Sequence, residues 1–369
     1  MGLSGGVDSS VTAALLKERG FDVVGVHLKC YNVDGCAEQD AEDARRAAEI
    51  LKIPFYVFDY EQEYKDRVVK YMIDGYKAGI TPNPDVMCNK EIKFGLFFDK
   101  AMELGADYVA TGHYARIQKS KTCLPVGRVK NQKSYELRIA KDSTKDQSYF
   151  LWTLTQKQLA HCLFPVGELI KRTEVRKLAK KFSLENAEKK DSQGICFLGQ
   201  VSIADFLKDY IKPKTGAVMN AAGEQIGAHS GAAFYTIGQR HGFDVRIRKQ
   251  ESGIKGDRKP HYVVSKDVKK NILVVAEGEE NESLYKKEVE LAAVNFISTI
   301  TNNQLPMTVY ARVRYRQPLA KAKLLRHSER SEESRYKLLF AAPQKFVAVG
   351  QSAVFYDKKG VMLGGGVIL

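Results

Sequence analysis

The sequence predicts an α/β domain built on a parallel sheet, followed by a small β domain and a C-terminal β-barrel. Up to about residue 112, helical patterns alternate with short apolar runs, which is typical of a parallel sheet with helices on both faces. Beyond residue 206, short β-runs are separated by Gly-rich turns. After residue 286, further strands follow one another as in a closed barrel.

In the first domain, residues 1–200, we expect ligands at the carboxyl ends of the strands, where the connecting loops gather. Strands are predicted at 23–28, 54–58 and 108–111, a hairpin at 119–140, and helices at 11–19, 38–51, 156–163 and 173–182.

The second domain, residues 201–285, is predicted to hold strands at 216–219, 223–226, 234–237, 262–265 and 272–275. The third, residues 286–369, is predicted to hold strands at 289–297, 307–316, 336–341, 348–356 and 361–368. Between two of these lies RHSERSEESR, at 326–335, a charged segment that we predict to be a solvated loop or hairpin insertion.

The 369 residues are 44% hydrophobic and 28% charged, a composition typical of folded proteins rather than disordered ones. No stretch approaches the ~18–20 apolar residues of a membrane span, and no signal region opens the chain, so we expect a cytoplasmic protein. The formal net charge of +14 favours a polyanionic partner. On charge alone, RNA, DNA and anionic membranes all fit, and a basic solvated surface is an alternative explanation.

The six cysteines have neither the density of a secreted disulfide scaffold nor the spacing of a zinc site; they are Cys30, Cys36, Cys88, Cys123, Cys162 and Cys196. In such a chain, these thiols are either reactive or simply buried.

The sharpest local signal is SGGVDSS at residues 4–10, which runs directly into an apolar helix. Glycines allow close approach of an anion, serines add donors, and the helix N-terminus presents N–H groups, so the loop predicts phosphate binding rather than an ordinary helix cap. It lacks the GK[ST] ending of a Walker A loop and instead resembles the pyrophosphate loop of the ATP pyrophosphatases. Only three residues precede it, so we expect the sheet to lack the strand that supports such loops, through a late start site or truncation.

Two further segments combine reactive residue types. In GITPNPDVMCNKEIKF, at 79–94, two prolines stiffen the loop that carries Asp85 and Cys88. In AEKKDSQGICFLG, at 187–199, Cys196 follows a glycine and lies near two lysines whose charge favours a thiolate. Each cysteine by itself also fits an inert buried thiol.

Six ordered motifs carry a family resemblance: TPNPDVMCN (81–89), TGHYAR (111–116), KDQSYFL (145–151), DSQGICF (191–197), TIGQRHG (236–242) and RYRQ (314–317). Together they resemble the tRNA-specific 2-thiouridylases, the MnmA/TrmU family of the PP-loop ATP pyrophosphatases. The resemblance extends from Gly2 to about Ile368 and implies an adenine nucleotide α-hydrolase-like N-terminal domain. The RHSERSEESR insert, the short N-terminus and Leu28, where the family usually carries Met, are departures.

The resemblance implies adenylation of a wobble uridine in tRNA, followed by sulfur transfer. It implies ATP contacts from Gly2, Leu3, Ser4, Gly5, Gly6, Val7, Asp8, Ser9, Leu28 and Gly112, and target-base contacts from Asn83, Pro84 and Asp85. Asp85 would be the general acid/base. Cys196 would carry a persulfide, and Cys88 would release its sulfur, leaving a transient Cys88–Cys196 disulfide. Mg²⁺, a sulfur-donor protein and tRNA are the implied cofactor and partners, with no membrane and no metal ligands from the protein.

The resemblance also implies tRNA contacts from His113, Lys145, Asp146, Gln147, Arg314, Tyr315 and Gln351. Independently, Arg312, Arg314 and Arg316 alternate along a predicted strand, which would place an arginine row on one face, either for phosphates or as a solvated barrel surface.

Three alternatives remain open at this point. An iron–sulfur cluster on the Asp-x-x-Cys loop and other cysteines is not favoured, because Cys30 and Cys36 lack a cluster spacing. Another PP-loop ATP pyrophosphatase should lack the paired cysteines and the basic β domains. A non-catalytic RNA-binding protein should have lost Ser4, Asp8, Cys88 or Cys196, and all four are present.

Overall fold

The fold is described from a computed structural model, which covers residues 1–31, 33, 35, 37–120, 134–189, 198–199, 201–245, 259–298, 300, 304–326 and 336–369. The described residues form an α/β domain, a five-stranded sheet and a closed six-stranded barrel, in that order along the chain. The predicted fold class is confirmed.

The N-terminal domain contains two pairs of parallel strands and a hairpin. Its strands are β1 (Gly25–Lys29), β2 (Phe55–Asp59), β3 (Val109–Ala110), β4 (Ala115–Lys119), β5 (Tyr135–Ile139) and β6 (Cys162–Leu163). β1 pairs with β2 and β3 with β6, both parallel, whereas β4 and β5 are antiparallel. The hairpin was predicted, and its connecting residues 121–133 lie outside the described residues.

The first three residues occupy the strand position between β1 and β3. Gly2 N donates to Ala110 O at 2.9 Å and Leu3 N to Val26 O at 2.8 Å, while Val26 N donates to Met1 O at 2.8 Å. Leu3 is 1% exposed. The expectation that the sheet lacks its central element is therefore wrong, because three residues bonded to both neighbours are enough to place the SGGVDSS loop at the end of a strand.

Helices pack around this sheet. They are α1 (Val7–Glu18), α2 (Ala37–Ile50), α3 (Glu61–Tyr64), α4 (Lys70–Lys77), α5 (Pro84–Cys88), α6 (Phe97–Glu103), α7 (Gln156–Ala160), α8 (Arg176–Lys181) and, in the next domain, α9 (Ile203–Lys208). The helical segments between residues 61 and 103 were not predicted. π-helical turns at Lys65–Val69 and Asn89–Leu96 interrupt them, and such turns insert extra residues that break the 3.6-residue repeat of apolar positions.

The second domain is a small sheet with strand order β10-β11-β7-β8-β9. Its strands are β7 (Gly216–Met219), β8 (Gln225–His229), β9 (Phe243–Val245), β10 (His261–Asp267) and β11 (Ile272–Glu277). The strand predicted at 234–237 is wrong, because Ala232–Phe234 forms a 3₁₀ turn and Tyr235 lies beyond it, buried against the sheet.

The third domain is a closed barrel in the order β12-β15-β14-β13-β16-β17. Its strands are β12 (Tyr285–Phe296), β13 (Met307–Arg312), β14 (Ala320–Arg326), β15 (Tyr336–Lys345), β16 (Ser352–Tyr356) and β17 (Met362–Ile368). β14 was not predicted. Residues 327–335 of the RHSERSEESR segment lie outside the described residues and follow β14 directly. In the part of the chain described, no helix is long and apolar enough to cross a bilayer.

Candidate active site

The SGGVDSS loop turns sharply at Gly5 before α1 begins. Gly5 has φ +75°, in the left-handed region, and a Cβ there would lie 2.3 Å from the carbonyl oxygen of Asp40. Glycine is therefore required on both conformational and steric grounds. The turn brings the loop against α2 and aims the N-terminus of α1 at the carboxyl edge of the sheet, where anions bind.

The serines of the loop shape its backbone. Ser9 Oγ donates to Gly6 O at 2.9 Å and accepts from Ser4 N at 3.2 Å. α1 is 12 residues long, and no side chain caps its N-terminus. The uncapped N–H groups and the positive end of the helix dipole fit an anionic group such as phosphate.

Asp8 fixes the first turn of α1 through two contacts from distant parts of the chain. Lys171 Nζ donates to Asp8 Oδ2 at 2.6 Å, and the Tyr114 hydroxyl donates to Asp8 Oδ1 at 2.7 Å. Lys171 is buried, with its side chain 8% exposed. The Asp8 carboxylate thus anchors the loop to the domain.

The backbone of Gly112 lies directly on the SGGVDSS loop. A Cβ at Gly112 would be 2.8 Å from Ser9 N and 2.9 Å from the carbonyl carbon of Asp8. The next residue is His113, whose Nδ1 shares a hydrogen bond with Thr111 Oγ1 at 2.7 Å. Burial, reinforced by the charge of Lys93, lowers the pKa of His113 well below 6.5. His113 is therefore a neutral imidazole at neutral pH.

Asp85 and Cys88 lie on the short helix α5, which Asn83 caps. Asn83 Oδ1 accepts from Val86 N at 3.2 Å, and Pro84 occupies the first helical position. Burial raises the pKa of Asp85, and the charge of Lys93 partly opposes the rise. Cys88 is 6% exposed. α5 runs on into the π-helical turn at Asn89–Leu96, and the Phe94 ring of that turn lies 5.8 Å from the His113 ring. The Asp85 helix is therefore next to the loop that touches the SGGVDSS backbone.

Both β domains hold the segment that leads into α5. From the barrel, Gln351 Nε2 donates to Thr81 O at 2.9 Å and to Pro82 O at 3.1 Å. From the second domain, the hydroxyl of Thr236 accepts a hydrogen bond from Thr81 Oγ1 at 3.3 Å. The position of Asn83 and Asp85 therefore depends on all three domains.

The remaining residues with an implied RNA role lie between the N-terminal domain and the barrel. Arg314 Nη2 donates to Ile237 O at 2.6 Å, and the Tyr315 ring lies 4.5 Å from that of Phe150. Gln147 and Tyr114 exchange two hydrogen bonds, and Lys145 is half-buried, with its backbone N donating to Asp142 O at 3.1 Å. Asp146 is 4% exposed and accepts hydrogen bonds from both domains. The RNA roles of these residues stay predictions.

The predicted arginine row is wrong. β13 ends at Arg312, and Arg316 has φ +64° in the turn that follows, so the three side chains do not alternate along one strand. Arg312 is buried against Asp146, and only Arg316 is exposed. The break follows from the tight turn that joins β13 to β14.

Several predicted residues lie outside the described residues. These are Cys36, Cys123 and Cys196, with the whole of the DSQGICF motif. Among the residues that the structure does describe, no cluster of three or more His, Cys, Asp or Glu side chains could hold a metal ion. The cysteine pair and the iron–sulfur alternative therefore stay untested.

Sequence reasoning missed two residues that hold the site. Tyr114 belongs to the TGHYAR motif, so its motif could have indicated it. Lys171 is 163 positions from Asp8 and has no local signal.

Comparison with known proteins matches the whole length of the chain. Residues 1–200 match the family described as tRNA methyl transferase HUP domain, residues 204–277 its PRC-barrel domain, and residues 286–368 the aminomethyltransferase beta-barrel domain. A protein named tRNA-specific 2-thiouridylase MnmA from Streptococcus thermophilus is 43% identical over 100% of this chain and 94% of its own length. The chain belongs to the tRNA-specific 2-thiouridylase family.

Two further relatives with the same name support this assignment. The protein from Listeria monocytogenes is 43% identical over 100% of this chain and 93% of its own length, and that from Streptococcus uberis is 42% identical over 100% and 94%. A solved structure of NMN synthetase from Francisella tularensis covers 52% of this chain and 64% of its own, with TM-score 0.30 and 16% identity, too low to carry an argument. The 2-thiouridylase family and the enzyme class predicted from the motifs are confirmed.

Proposed function

We propose that this chain catalyses ATP-dependent 2-thiolation of the wobble uridine in tRNA anticodons, giving 2-thiouridine, AMP and pyrophosphate. The observation that carries the proposal is the contact of Gly112 with the SGGVDSS backbone, followed one residue later by His113. The His113 ring lies 5.8 Å from that of Phe94, on the helical segment that continues from the Asp85 helix. The proposed phosphate loop and the half-buried carboxyl group of Asp85 thereby lie in the same region of the domain, as adenylation of a base requires.

The first step turns an unreactive oxygen into a leaving group. The uridine O2 attacks the α-phosphorus of ATP, the bond to the pyrophosphate breaks, and the ring carries an O2–AMP ester. We assign the ATP contacts to Gly2–Ser9, Leu28 and Gly112. Leu28 is half-buried near the end of β1, beside the loop, where an apolar side chain fits a purine ring.

Asp85 is assigned to proton transfer on the activated base, with Asn83 and Pro84 as its neighbours at the base. Burial raises the pKa of Asp85 towards the range in which a carboxyl group both gives and takes a proton. Asn83 has two assigned roles: it caps α5, which holds the Asp85 helix in place, and it contacts the base.

The second step transfers sulfur. The terminal sulfur of a Cys196 persulfide forms the bond to C2, and AMP leaves with the former O2. The Cys88 thiolate attacks the inner sulfur of Cys196, so the S–S bond electrons pass to the sulfur that stays on the base. Attack by Cys88 before the transfer gives the same products. In both orders a Cys88–Cys196 disulfide forms, and an external thiol must supply two electrons to reduce it.

We assign Mg²⁺ to the phosphate oxygens of ATP rather than to a protein cage. Proteins commonly hold Mg²⁺ through substrate phosphates together with one or two carboxylates. The carboxylate of the SGGVDSS loop, Asp8, is already bonded to Lys171 and Tyr114, so we assign no Mg²⁺ ligand to it. Mg²⁺ would neutralise phosphate charge. The partners are tRNA, contacted by His113, Lys145, Asp146, Gln147, Arg314, Tyr315 and Gln351, and a protein that donates persulfide sulfur, in the cytoplasm.

The test incubates the full chain with tRNA, ATP, Mg²⁺ and a persulfide source, then examines the tRNA nucleosides for 2-thiouridine and the nucleotides for AMP. AMP formed with tRNA but without any thiolated base would favour another ATP pyrophosphatase. Binding of tRNA with neither product would favour a non-catalytic RNA-binding protein.

Two variants test the assigned roles separately. Cys196→Ser should abolish 2-thiouridine while tRNA binding stays at the wild-type level, and retained activity would remove its role. Asp85→Asn keeps the shape of the side chain but cannot transfer a proton. It should lower the rate by about 10²-fold or more with tRNA affinity unchanged.

A further inference from the structure

A buried arginine of the barrel lies at the contact between the barrel and the N-terminal domain. Arg312 closes β13, and its Nη2 donates to Asp146 Oδ2, to the Tyr356 hydroxyl at 3.0 Å and to Ser148 Oγ at 3.5 Å. Arg312 and Asp146 are 6% and 4% exposed. The two charges therefore pair inside the protein, although Arg312 Nε has no hydrogen-bond partner among the described residues. Removing one charge would leave the other buried and unpaired.

The carboxylate of Asp146 in turn fixes the backbone around it. Asp146 Oδ1 accepts from Ala140 N at 3.0 Å and from Ser148 N at 3.2 Å. The residue between Asp146 and Ser148 is Gln147. The Asp146 carboxylate thus holds the backbone on the far side of Gln147. The position of Gln147 therefore depends on the ion pair between Asp146 and Arg312.

Gln147 in turn is hydrogen-bonded to Tyr114 of the TGHYAR motif. Gln147 N donates to Tyr114 O at 2.8 Å, and Tyr114 N donates to Gln147 Oε1 at 2.9 Å. The Tyr114 hydroxyl then donates to Asp8 Oδ1 at 2.7 Å, inside the first turn of α1. The contacts run without a gap from a barrel strand to the SGGVDSS loop.

We propose that Arg312 is a positioning residue for the ATP site, acting through Asp146, Gln147, Tyr114 and Asp8. The inference rests on the proposed function, because it takes the SGGVDSS loop as the ATP site. All three contacts come from Nη2, at the far end of the arginine side chain. Lysine is one atom shorter, so its ammonium does not lie where these acceptors are. The barrel thereby contributes to ATP affinity without touching ATP.

The test compares Arg312→Lys with Ser352→Ala in the full chain. Ser352 also lies in the barrel, is 2% exposed, and accepts a hydrogen bond from Trp152 Nε1 at 3.0 Å, but it has no contact with Asp146 or Gln147 among the described residues. Both variants weaken the contact between the domains. The dissociation constant of Mg-ATP, measured by calorimetry without tRNA, should rise about fivefold or more for Arg312→Lys and less than twofold for Ser352→Ala.

A double-mutant cycle separates transmission along the contacts from general loosening. Tyr114→Phe removes the hydroxyl that reaches Asp8. If the contacts act in series, Arg312→Lys should add little to the loss of ATP affinity in a chain that already carries Tyr114→Phe. If the two substitutions act independently, their fold-changes in the dissociation constant of Mg-ATP would multiply. Multiplying effects, or equal ATP affinity in Arg312→Lys and Ser352→Ala, would overturn the proposal.

Two further measurements keep the outcome decisive. If Arg312→Lys does not fold, Tyr356→Phe removes one of its acceptors and should raise the dissociation constant in the same direction, by about twofold; no rise would contradict the proposal. Failure of the wild-type chain to bind Mg-ATP would instead refute the proposed function. Under turnover, Arg312→Lys should raise KM for ATP.

Discussion

Gly112→Ala is the most direct test of how the SGGVDSS loop, the proposed ATP site, is built. A Cβ at position 112 would lie 2.8 Å from Ser9 N, 2.9 Å from the carbonyl carbon of Asp8 and 3.1 Å from Ser9 Cα. Carbon atoms in contact normally stay ~3.5–4.0 Å apart, so the two backbones must separate by roughly 0.6 Å or more. The atoms that must yield are backbone atoms of the SGGVDSS loop, which have no rotamers to change.

A displacement of that size acts on the donors of α1 rather than on the core. Misplacement by ~1 Å can cost 10²-fold in the rate of a positioned reaction, so Gly112→Ala should weaken Mg-ATP binding about tenfold or more. Gly112 does not have a positive φ, so alanine adds steric contact without backbone strain. The thermal midpoint should change much less than ATP affinity does.

Gly20→Ala is the matched control for Gly112→Ala. Gly20 ends the turn after α1, has φ +83°, and no atom lies within 4 Å of an added Cβ. It should lower stability by about 1–2 kcal/mol through backbone strain while ATP affinity stays at the wild-type value. Calorimetric titration with Mg-ATP and thermal unfolding measure both quantities on the same samples. A folded Gly112→Ala chain with unchanged ATP affinity would refute the reasoning.

Further predictions concern the charges around the same site. Lys171→Met should lower the free energy of unfolding by about 2–3 kcal/mol in urea, since it leaves the Asp8 carboxylate without its cationic partner. Lys180→Met, from an exposed pair, should change the free energy of unfolding much less, and equal costs would contradict the anchor role. The pKa of His113 lies well below 6.5 in the folded chain, so the unfolded chain takes up a proton that the folded chain does not as pH falls below 6.5. The free energy of unfolding should therefore decrease as the pH falls. His113→Gln should reduce the slope of the free energy of unfolding against pH, by up to about 1.4 kcal/mol per pH unit below pH 6.5. An unchanged slope in urea titrations at several pH values would show that His113 does not contribute.

The sequence by itself determined the family, the fold class and most of the local elements. The SGGVDSS pattern indicated a phosphate loop because glycine at a sharp turn before a helix is a local requirement, and the structure has Gly5 in that conformation. β7 was predicted with its observed bounds, since a short apolar run bounded by turn residues is a pattern of neighbours along the chain. Motifs of four to nine residues were enough to identify the family.

Features that depend on distant partners were decided only by the tertiary structure. The three residues before the loop could not be predicted as a strand, because their hydrogen bonds go to Val26 and Ala110. The arginine row was wrong because a turn ends β13 at Arg312, whose charge is then neutralised by Asp146 from another domain. Lys171 reaches Asp8 across 163 positions, a pairing that no local pattern encodes. Local conformation is set by neighbouring residues, whereas the environment of a charge is set by whichever segments fold beside it.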